Sequence, residues 1–327
     1  MSIVRCGVIG VGHLGKFHAK KYSILENCEL VALADPKPDN ALELSKELKC
    51  DYVTDYKEIL KKVDVVSIVA PTSLHYEITS QVLKSGVSVL LEKPITDSIE
   101  EARLLDKMAK ENNVLLQIGH LERFNPAILK LKEIYNQELR SSQYKLEPDF
   151  IEAIRIAPFK PRATDVDVII DLMIHDIDLI LEMVASPISK IFAKGAKILS
   201  STIDIANARI EFQNGCIANI TSSRVSDKTE RKMRVFAKDA YHSINFQDKR
   251  LKSTFLKKQK SNLNNNNNNK ILTTAYKIKD SDALETEIRK FINSFTSSTP
   301  AVVSAKDGIK ALETAILITE KIHESIS

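Results

Sequence analysis

Up to about residue 120 the chain alternates short β-branched runs with amphipathic stretches. IVRCGVIG, LVALAD, DVVSIVA, VSVLLEK and VLLQIGH are separated by AKKYSIL, ALELSKEL and SIEEARLLDKMAKE, in which apolar residues recur at helical spacing. This alternation predicts βαβ units, a doubly wound parallel sheet with helices on both faces. From about residue 150 the pattern changes. One long helix near 166–185 is followed by KIFAKGAKIL, IANARIEFQ, CIANITSSRV, KMRVFA and YHSINF, and the turn QNGC carries the hairpin signal Asn214-Gly215. These runs predict an α+β domain built on an open, mostly antiparallel sheet, so the chain divides into residues 1–122 and 123–327. The uncovered sheet face calls for a partner, which predicts a homo-oligomer assembled through that face. Residues 257–270, KKQKSNLNNNNNNK, are of low complexity and read as a loop between two strands. Two amphipathic helices, 281–297 and 304–325, close the chain, and no internal repeat is present.

The helix near 166–185 breaks its own pattern. At ~100° per residue, Asp167, Asp171, His175, Asp178 and Glu182 fall in one narrow polar stripe, while apolar residues cover nearly everything else. Burying a bare charge is costly, so the stripe should face water, a partner charge or a polar cavity. It is a candidate site.

Composition narrows the choice of function. A chain of 327 residues with 43% hydrophobic residues is long enough for two cores. A formal net charge of +4, with no dense basic run interleaved with aromatics, argues against nucleic-acid binding. Cys6, Cys28, Cys50 and Cys216 are scattered without a CxxC pair, which argues against a zinc cluster or a disulfide framework. The N-terminus enters a strand-like run directly, and no segment approaches the ~20 apolar residues of a membrane span. A cytoplasmic protein with no membrane contact is expected.

GVIGVGHLGKFHA places Gly10, Gly12 and Gly15 in a GxGxxG array after the first strand and at the start of a helix. The first two glycines allow a tight turn and close approach to a pyrophosphate, and Gly15 allows close helix–strand packing. Gly10, Gly12, His13 and Leu14 are thus the expected phosphate end of a dinucleotide site. The next strand ends in Asp35, about twenty residues further on. Its carboxylate suits ribose hydroxyls and repels a 2′-phosphate, favouring NAD over NADP. VAPTSLH puts Thr72 and His75 at the carboxyl edge of the sheet, where such folds bind ligands, although His75 also fits an ordinary helix surface.

GVIGVGHLGKFHA, VAPTSLHYEI, LLEKPIT, GHLERFNPA and the array Asp171-x3-His175-x2-Asp178 together resemble the glucose-fructose oxidoreductase, inositol dehydrogenase and MocA (Gfo/Idh/MocA) family. The likeness runs over nearly the whole chain in the right order. HLERFNP, IAPFKPRATDVDVIIDLMIHDIDLI and ANARIEFQNGCIANITSSRVS resemble the branch that oxidises UDP-N-acetylglucosamine at the C3 hydroxyl for lipid A synthesis, upstream of a glutamate-dependent aminotransferase. The resemblance implies an N-terminal Rossmann domain. It also implies that Lys93 lies between nicotinamide and substrate and hydrogen-bonds the reacting hydroxyl, that Glu92 helps seat the cofactor, and that Asp171 and His175 carry the substrate side.

Removing hydride from a carbinol requires the hydroxyl proton to leave. A neutral histidine is suited to accept it, and a lysine contributes positive field where alkoxide character develops. His175 and Lys93 both remain candidates for the base. For a diphosphate, Arg123, Arg155, Lys160 and Arg162 are the candidate cations, with Pro158 and Pro161 stiffening the loop around Lys160 and Arg162. Asp171, His175 and Asp178 could in principle form a metal site, but hydride transfer requires none and none is expected. Three other readings stand beside the nucleotide-sugar dehydrogenase. One is a dehydrogenase of another sugar or an inositol, one takes UDP-N-acetylglucosaminuronate, and one is a non-catalytic NAD-binding sensor.

Overall fold

The computed structural model describes residues 3–138, 146–160, 166–257, 270–278 and 281–324. The chain divides into two compact units, 1–121 with 282–312, and 122–281 with 313–327. Arg162 and nearly all of the Asn-rich tract fall outside the described residues.

In the first unit the alternating pattern yields β1 (Val4–Ile9), α1 (His13–Tyr22), β2 (Cys28–Ala34), α2 (Pro38–Leu48), β3 (Asp51–Val53), β4 (Val65–Ile68), α3 (His75–Lys84), β5 (Ser88–Glu92), α4 (Ile99–Glu111) and β6 (Leu116–Gly119). All six strands run parallel in the order β3-β2-β1-β4-β5-β6. The order reverses at β1, and that reversal opens a crevice at the carboxyl ends of the strands. Only β3 escapes the hydrophobic pattern: three residues, none buried, carry no period.

The second unit holds α5 (Pro126–Glu138), β7 (Pro148–Ile156), α6 (Ile174–Val184), β8 (Ile188–Ala196), β9 (Ile205–Phe212), β10 (Ile217–Ser223), β11 (Glu230–Ala237), β12 (Ala240–Asn245), β13 (Arg250–Lys257) and β14 (Lys270–Lys277). Its eight-stranded sheet runs β14-β13-β12-β11-β7-β10-β9-β8, antiparallel except where β7 and β10 pair in parallel. Asn214-Gly215 makes the β9–β10 hairpin, with Gly215 at φ +89° and the Asn214 side chain accepting from Cys216 N. Helices α5 and α6 lie against one face of the sheet. The opposite face exposes Phe192 and aligns the rings of Phe150, Phe236 and Tyr241, with centroids 5.9 and 5.0 Å apart.

α7 (Ala283–Thr296) departs from the expected boundary, which placed all residues after 122 in the second domain. It belongs to the first unit: Ile288, Phe291 and Ile292 are fully buried with Val4, Cys6, Val8 and Tyr22, and Lys21 pairs with Asp282 and Glu285 at its start. Three apolar residues on one helix face find their core with the first ~100 residues, far away in sequence. α8 (Ala305–Glu324) begins in the first unit, where Gly308 packs on Ile118, and ends in the second. Among the described residues no helix is long and apolar enough to cross a membrane.

Candidate active site

The glycine turn of the first unit is built as its sequence demands. Gly10 has φ +88°, and a Cβ there would lie within 2.8 Å of the Val69–Ala70 backbone. Gly15 sits so close to the turn that a Cβ would meet the Gly10 carbonyl oxygen at 1.9 Å. A Cβ on Gly12 would meet nothing within 4 Å, so the backbone at the N-terminus of α1 fronts open space. His13 and Leu14 follow it, both exposed. Asp35, at the end of β2, turns its carboxylate back on the turn: Oδ2 accepts from Val11 N at 2.7 Å and Oδ1 from Lys37 N at 2.8 Å. Two backbone donors leave acceptor capacity on each oxygen for ribose hydroxyls. These residues fit a dinucleotide.

Thr72 opens the short turn before α3 and is partly exposed. His75, expected as a cofactor contact or a surface residue, does not lie on the surface. It is 1% exposed, with Nδ1 2.8 Å from the Pro94 carbonyl and Nε2 2.9 Å from the Ala70 carbonyl. The ring joins the end of β4 to the segment after Lys93, and both nitrogens are committed to protein carbonyls.

Glu92 ends β5 beneath that segment. Its Oε1 lies 3.1 Å from His18 Nε2, and Oε2 accepts from Lys93 N at 3.3 Å. Burial pushes this carboxyl up, but the His18 hydrogen bond and the Lys93 charge outweigh it and hold the group below the usual carboxylate range. Lys93 is half-buried, and the Lys93–Pro94 peptide is cis.

In the second unit the polar stripe is not one surface. Ile169–Met173 form a π turn, and only from Ile174 does the chain wind as an α-helix. The wider turn shifts the angular phase of the residues before it, a feature frequent at functional sites. Asp167 drops out of the stripe, its Oδ1 accepting from Ile203 N at 2.7 Å. Asp171, in the π turn, and His175, in the first turn of α6, remain half-buried one turn apart. A buried hub holds this entry in place. Asp204 accepts from Arg224 Nε (2.8 Å), Ser200 Oγ (2.7 Å) and the backbone N–H groups of Ile198, Leu199 and Ser200, while Arg224 also donates to the Val166 carbonyl and to Thr202 Oγ1. Burial raises the Asp204 carboxyl, yet these donors keep it well below its ordinary range.

The other stripe members, Asp178 and Glu182, and two expected diphosphate cations, Arg123 and Arg155, meet in ion pairs, buried for Asp178 and both arginines and half-buried for Glu182. Arg123 grips Asp178 with two hydrogen bonds of 2.7 and 2.6 Å, at 5% and 1% side-chain exposure. Glu182 takes Lys132 at 2.8 Å and Arg123 at 3.5 Å. Arg155 grips Asp176 at 2.8 and 3.0 Å, reaches Glu122 at 2.9 Å and stacks over the Phe246 ring. Burial pushes the Asp176 carboxyl up against the pull of Arg155, and the two carboxylates hold the guanidinium in its charged form. Arg123 and Arg155, expected as diphosphate cations, are turned inward onto acidic residues in this structure. Lys160 is exposed in the segment after β7. Because Asp178 is taken by Arg123, the trio with Asp171 and His175 does not converge, and the described residues hold no group of three or more metal-ligating side chains.

Asp176, Glu122, Arg224, Asp204 and His18 escaped the sequence reading. A signal existed for one pair: Arg155 alternates in phase with buried Ile151 and Ala153 along β7, so its side chain had to point inward and find an acid.

Residues 4–120 match the sequence profile described as the oxidoreductase family, NAD-binding Rossmann fold, and residues 138–241 match the GFO/IDH/MocA C-terminal domain. The chain is 36% identical over 318 residues to the UDP-N-acetylglucosamine 3-dehydrogenase of Acidithiobacillus ferrooxidans, spanning 97% of both chains. The chain belongs to the Gfo/Idh/MocA family. As a Gfo/Idh/MocA member it is an oxidoreductase acting on CH–OH groups, with a cofactor domain of the NAD-binding Rossmann type. The crystal structure of the A. ferrooxidans enzyme superposes with a TM-score of 0.89 at 34% identity, covering all of both chains. The NAD-dependent scyllo-inositol 2-dehydrogenase of Bacillus subtilis is 29% identical over 244 residues, 68% of each chain.

Proposed function

We propose that this chain oxidises the C3 hydroxyl of UDP-N-acetylglucosamine to the 3-keto sugar with NAD. The observation that carries the reading is local. Lys93, next after β5, with Asp171 in the π turn and His175 in the first turn of α6, stand where the family resemblance assigns them, in a chain that matches a UDP-N-acetylglucosamine 3-dehydrogenase over 97% of its length. Bound at the glycine turn, the nicotinamide would accept the hydride from the sugar carbon. His175 takes the hydroxyl proton, and Asp171, one turn earlier, orients the sugar or the imidazole. Lys93 donates a hydrogen bond to the same oxygen and stabilises negative charge there as the proton leaves. The ionised Glu92 attracts Lys93. That attraction favours Lys93 as the charged donor and leaves the base to His175.

Asp35 selects NAD, because its carboxylate repels the 2′-phosphate of NADP. Lys160 and Arg162 remain the cations proposed for the diphosphate, with Thr72, His13 and Leu14 around the cofactor. The product calls for a sugar aminotransferase as functional partner, yielding a 3-amino sugar for lipid A in the cytoplasm. A second copy of the chain covers the sheet face that carries Phe192, Phe150, Phe236 and Tyr241.

The test is mass spectrometry of the protein incubated with NAD and UDP-N-acetylglucosamine plus a carbonyl-trapping reagent, with scyllo-inositol and UDP-N-acetylglucosaminuronate in parallel. The expected result is a trapped 3-keto nucleotide sugar, with turnover falling ~10²-fold or more in Lys93→Ala and His175→Ala while NAD binding persists. A product only from another polyol reassigns the substrate. NAD binding with no turnover of any of them leaves the sensor reading.

A further inference from the structure

We infer that the buried chain Tyr22–Ser67–His18 is a positioning device for the Glu92–Lys93 pair, with His18 as the link that carries it. The inference rests on the reading of Lys93 as the group that hydrogen-bonds the reacting hydroxyl. Its observations lie wholly within the first unit.

Three elements meet here. His18 and Tyr22 sit four residues apart on α1, so both project from one face of the helix onto the sheet. Ser67 is the third residue of β4, and Glu92 is the last of β5. The distances form an unbroken line: Tyr22 Oη to Ser67 Oγ 2.9 Å, Ser67 Oγ to His18 Nδ1 3.0 Å, and His18 Nε2 to Glu92 Oε1 3.1 Å. Tyr22, Ser67 and His18 are at most 1% exposed. Apolar side chains would fill the same space without the desolvation that polar groups suffer there. The polar line is accounted for by what stands at its end.

An ionised carboxylate only accepts, so His18 must donate from Nε2. When Nδ1 carries no proton it is an acceptor, and the Ser67 hydroxyl donates a hydrogen bond to it. Ser67 Oγ in turn accepts from Tyr22, whose phenol burial keeps protonated. Every side-chain donor of the three residues is used in this arrangement, and each bond orients the next. On its far side Glu92 meets bare backbone: a Cβ on Gly119 would lie 3.2 Å from Glu92 Cα, Cδ and Oε1. Its second oxygen accepts from Lys93 N. The carboxylate thus spans from His18 to the root of the lysine, and a rotation of Glu92 would release that root.

Two amides of similar polarity separate this role from simple core packing. In His18→Gln the amide nitrogen occupies the place of Nε2 and still reaches Glu92. In His18→Asn the shorter amide reaches only the Ser67 end. The expected result with NAD and UDP-N-acetylglucosamine is a kcat near wild type for His18→Gln and a 10- to 100-fold lower kcat for His18→Asn, on the scale typical of groups that orient an active ligand. KM for the sugar stays within about threefold in both variants, since His18 is buried behind Glu92. Ser67→Ala falls between them, and Ser67→Ala combined with His18→Asn is no worse than His18→Asn alone, because one chain is broken once.

A readout independent of turnover uses protein labelled with ¹⁵N-histidine. The His18 resonances, assigned by their loss in His18→Gln, should report a ring that carries a proton on Nε2. Equal kcat for the two amides, or a His18 ring with no proton on Nε2, overturns the inference. Lys93→Ala with wild-type turnover instead sinks the role of Lys93, and the ¹⁵N result still decides whether the chain is built as described.

Discussion

Arg123→Met tests whether the guanidinium serves the fold or the ligand. The substitution keeps an aliphatic stem but removes both hydrogen bonds to Asp178, whose side chain is 1% exposed. Breaking a buried ion pair from one side costs about 3–5 kcal/mol, chiefly because a charge is left uncompensated. At roughly 2–4 °C per kcal/mol for a unit of this size, the melting temperature should fall by about 6–20 °C. Removing both charges, in Arg123→Met with Asp178→Leu, takes away the uncompensated carboxylate and should recover most of that loss, since apolar replacement of a buried pair is often neutral or stabilising. Differential scanning calorimetry measures the stability, and steady-state kinetics with UDP-N-acetylglucosamine measure KM in the same preparations. A melting temperature within about 1 °C of wild type together with a raised KM would refute the reasoning and return Arg123 to the diphosphate.

Gly15→Ala brings a methyl group to 1.9 Å from the Gly10 carbonyl oxygen; the turn must open, and NADH fluorescence titration should show binding lost, whereas retained affinity would mean the helix shifts at little cost. Asp35→Ser removes the charge that opposes a 2′-phosphate while leaving a short acceptor, so the ratio of NAD to NADP catalytic efficiency should drop at least tenfold; an unchanged ratio assigns the selectivity elsewhere. His242 is buried between Tyr135 and Ser253, and burial lowers its pKa to about 4 from an ordinary ~6.5. Protons bind the unfolded ring first as pH falls, so stability is lost between about pH 6.5 and 4. His242→Gln should flatten that part of the urea-unfolding profile, and an unaltered slope would place the acid sensitivity in other groups.

Features encoded by neighbouring residues could be read from the chain alone. A positive φ at Gly10, the Asn214-Gly215 hairpin and the alternation of β1, β2, β4, β5 and β6 each depend on a few adjacent positions, so they were legible, as was Asp35 at its fixed distance from the glycines. The family resemblance pointed to Lys93, Asp171 and His175, although no hydrophobic period singles out a lysine at the end of a strand. Tertiary structure decided which remote groups meet. Arg123 and Arg155 look the same in sequence whether they hold a diphosphate or an aspartate, and only the packing of β7 and of the segment before α5 against α6 turned them inward. His75 read as a cofactor contact or a helix-surface residue and His18 carried no signal, until the carbonyls of Ala70 and Pro94 closed on the one and the carboxylate of Glu92 on the other. The π turn at Ile169–Met173 broke a stripe drawn with a uniform helical angle, and the apolar face of α7 found its core almost 300 residues upstream. Local φ/ψ preference and periodicity are properties of a segment. The partner of a buried charge depends on where the rest of the chain has folded.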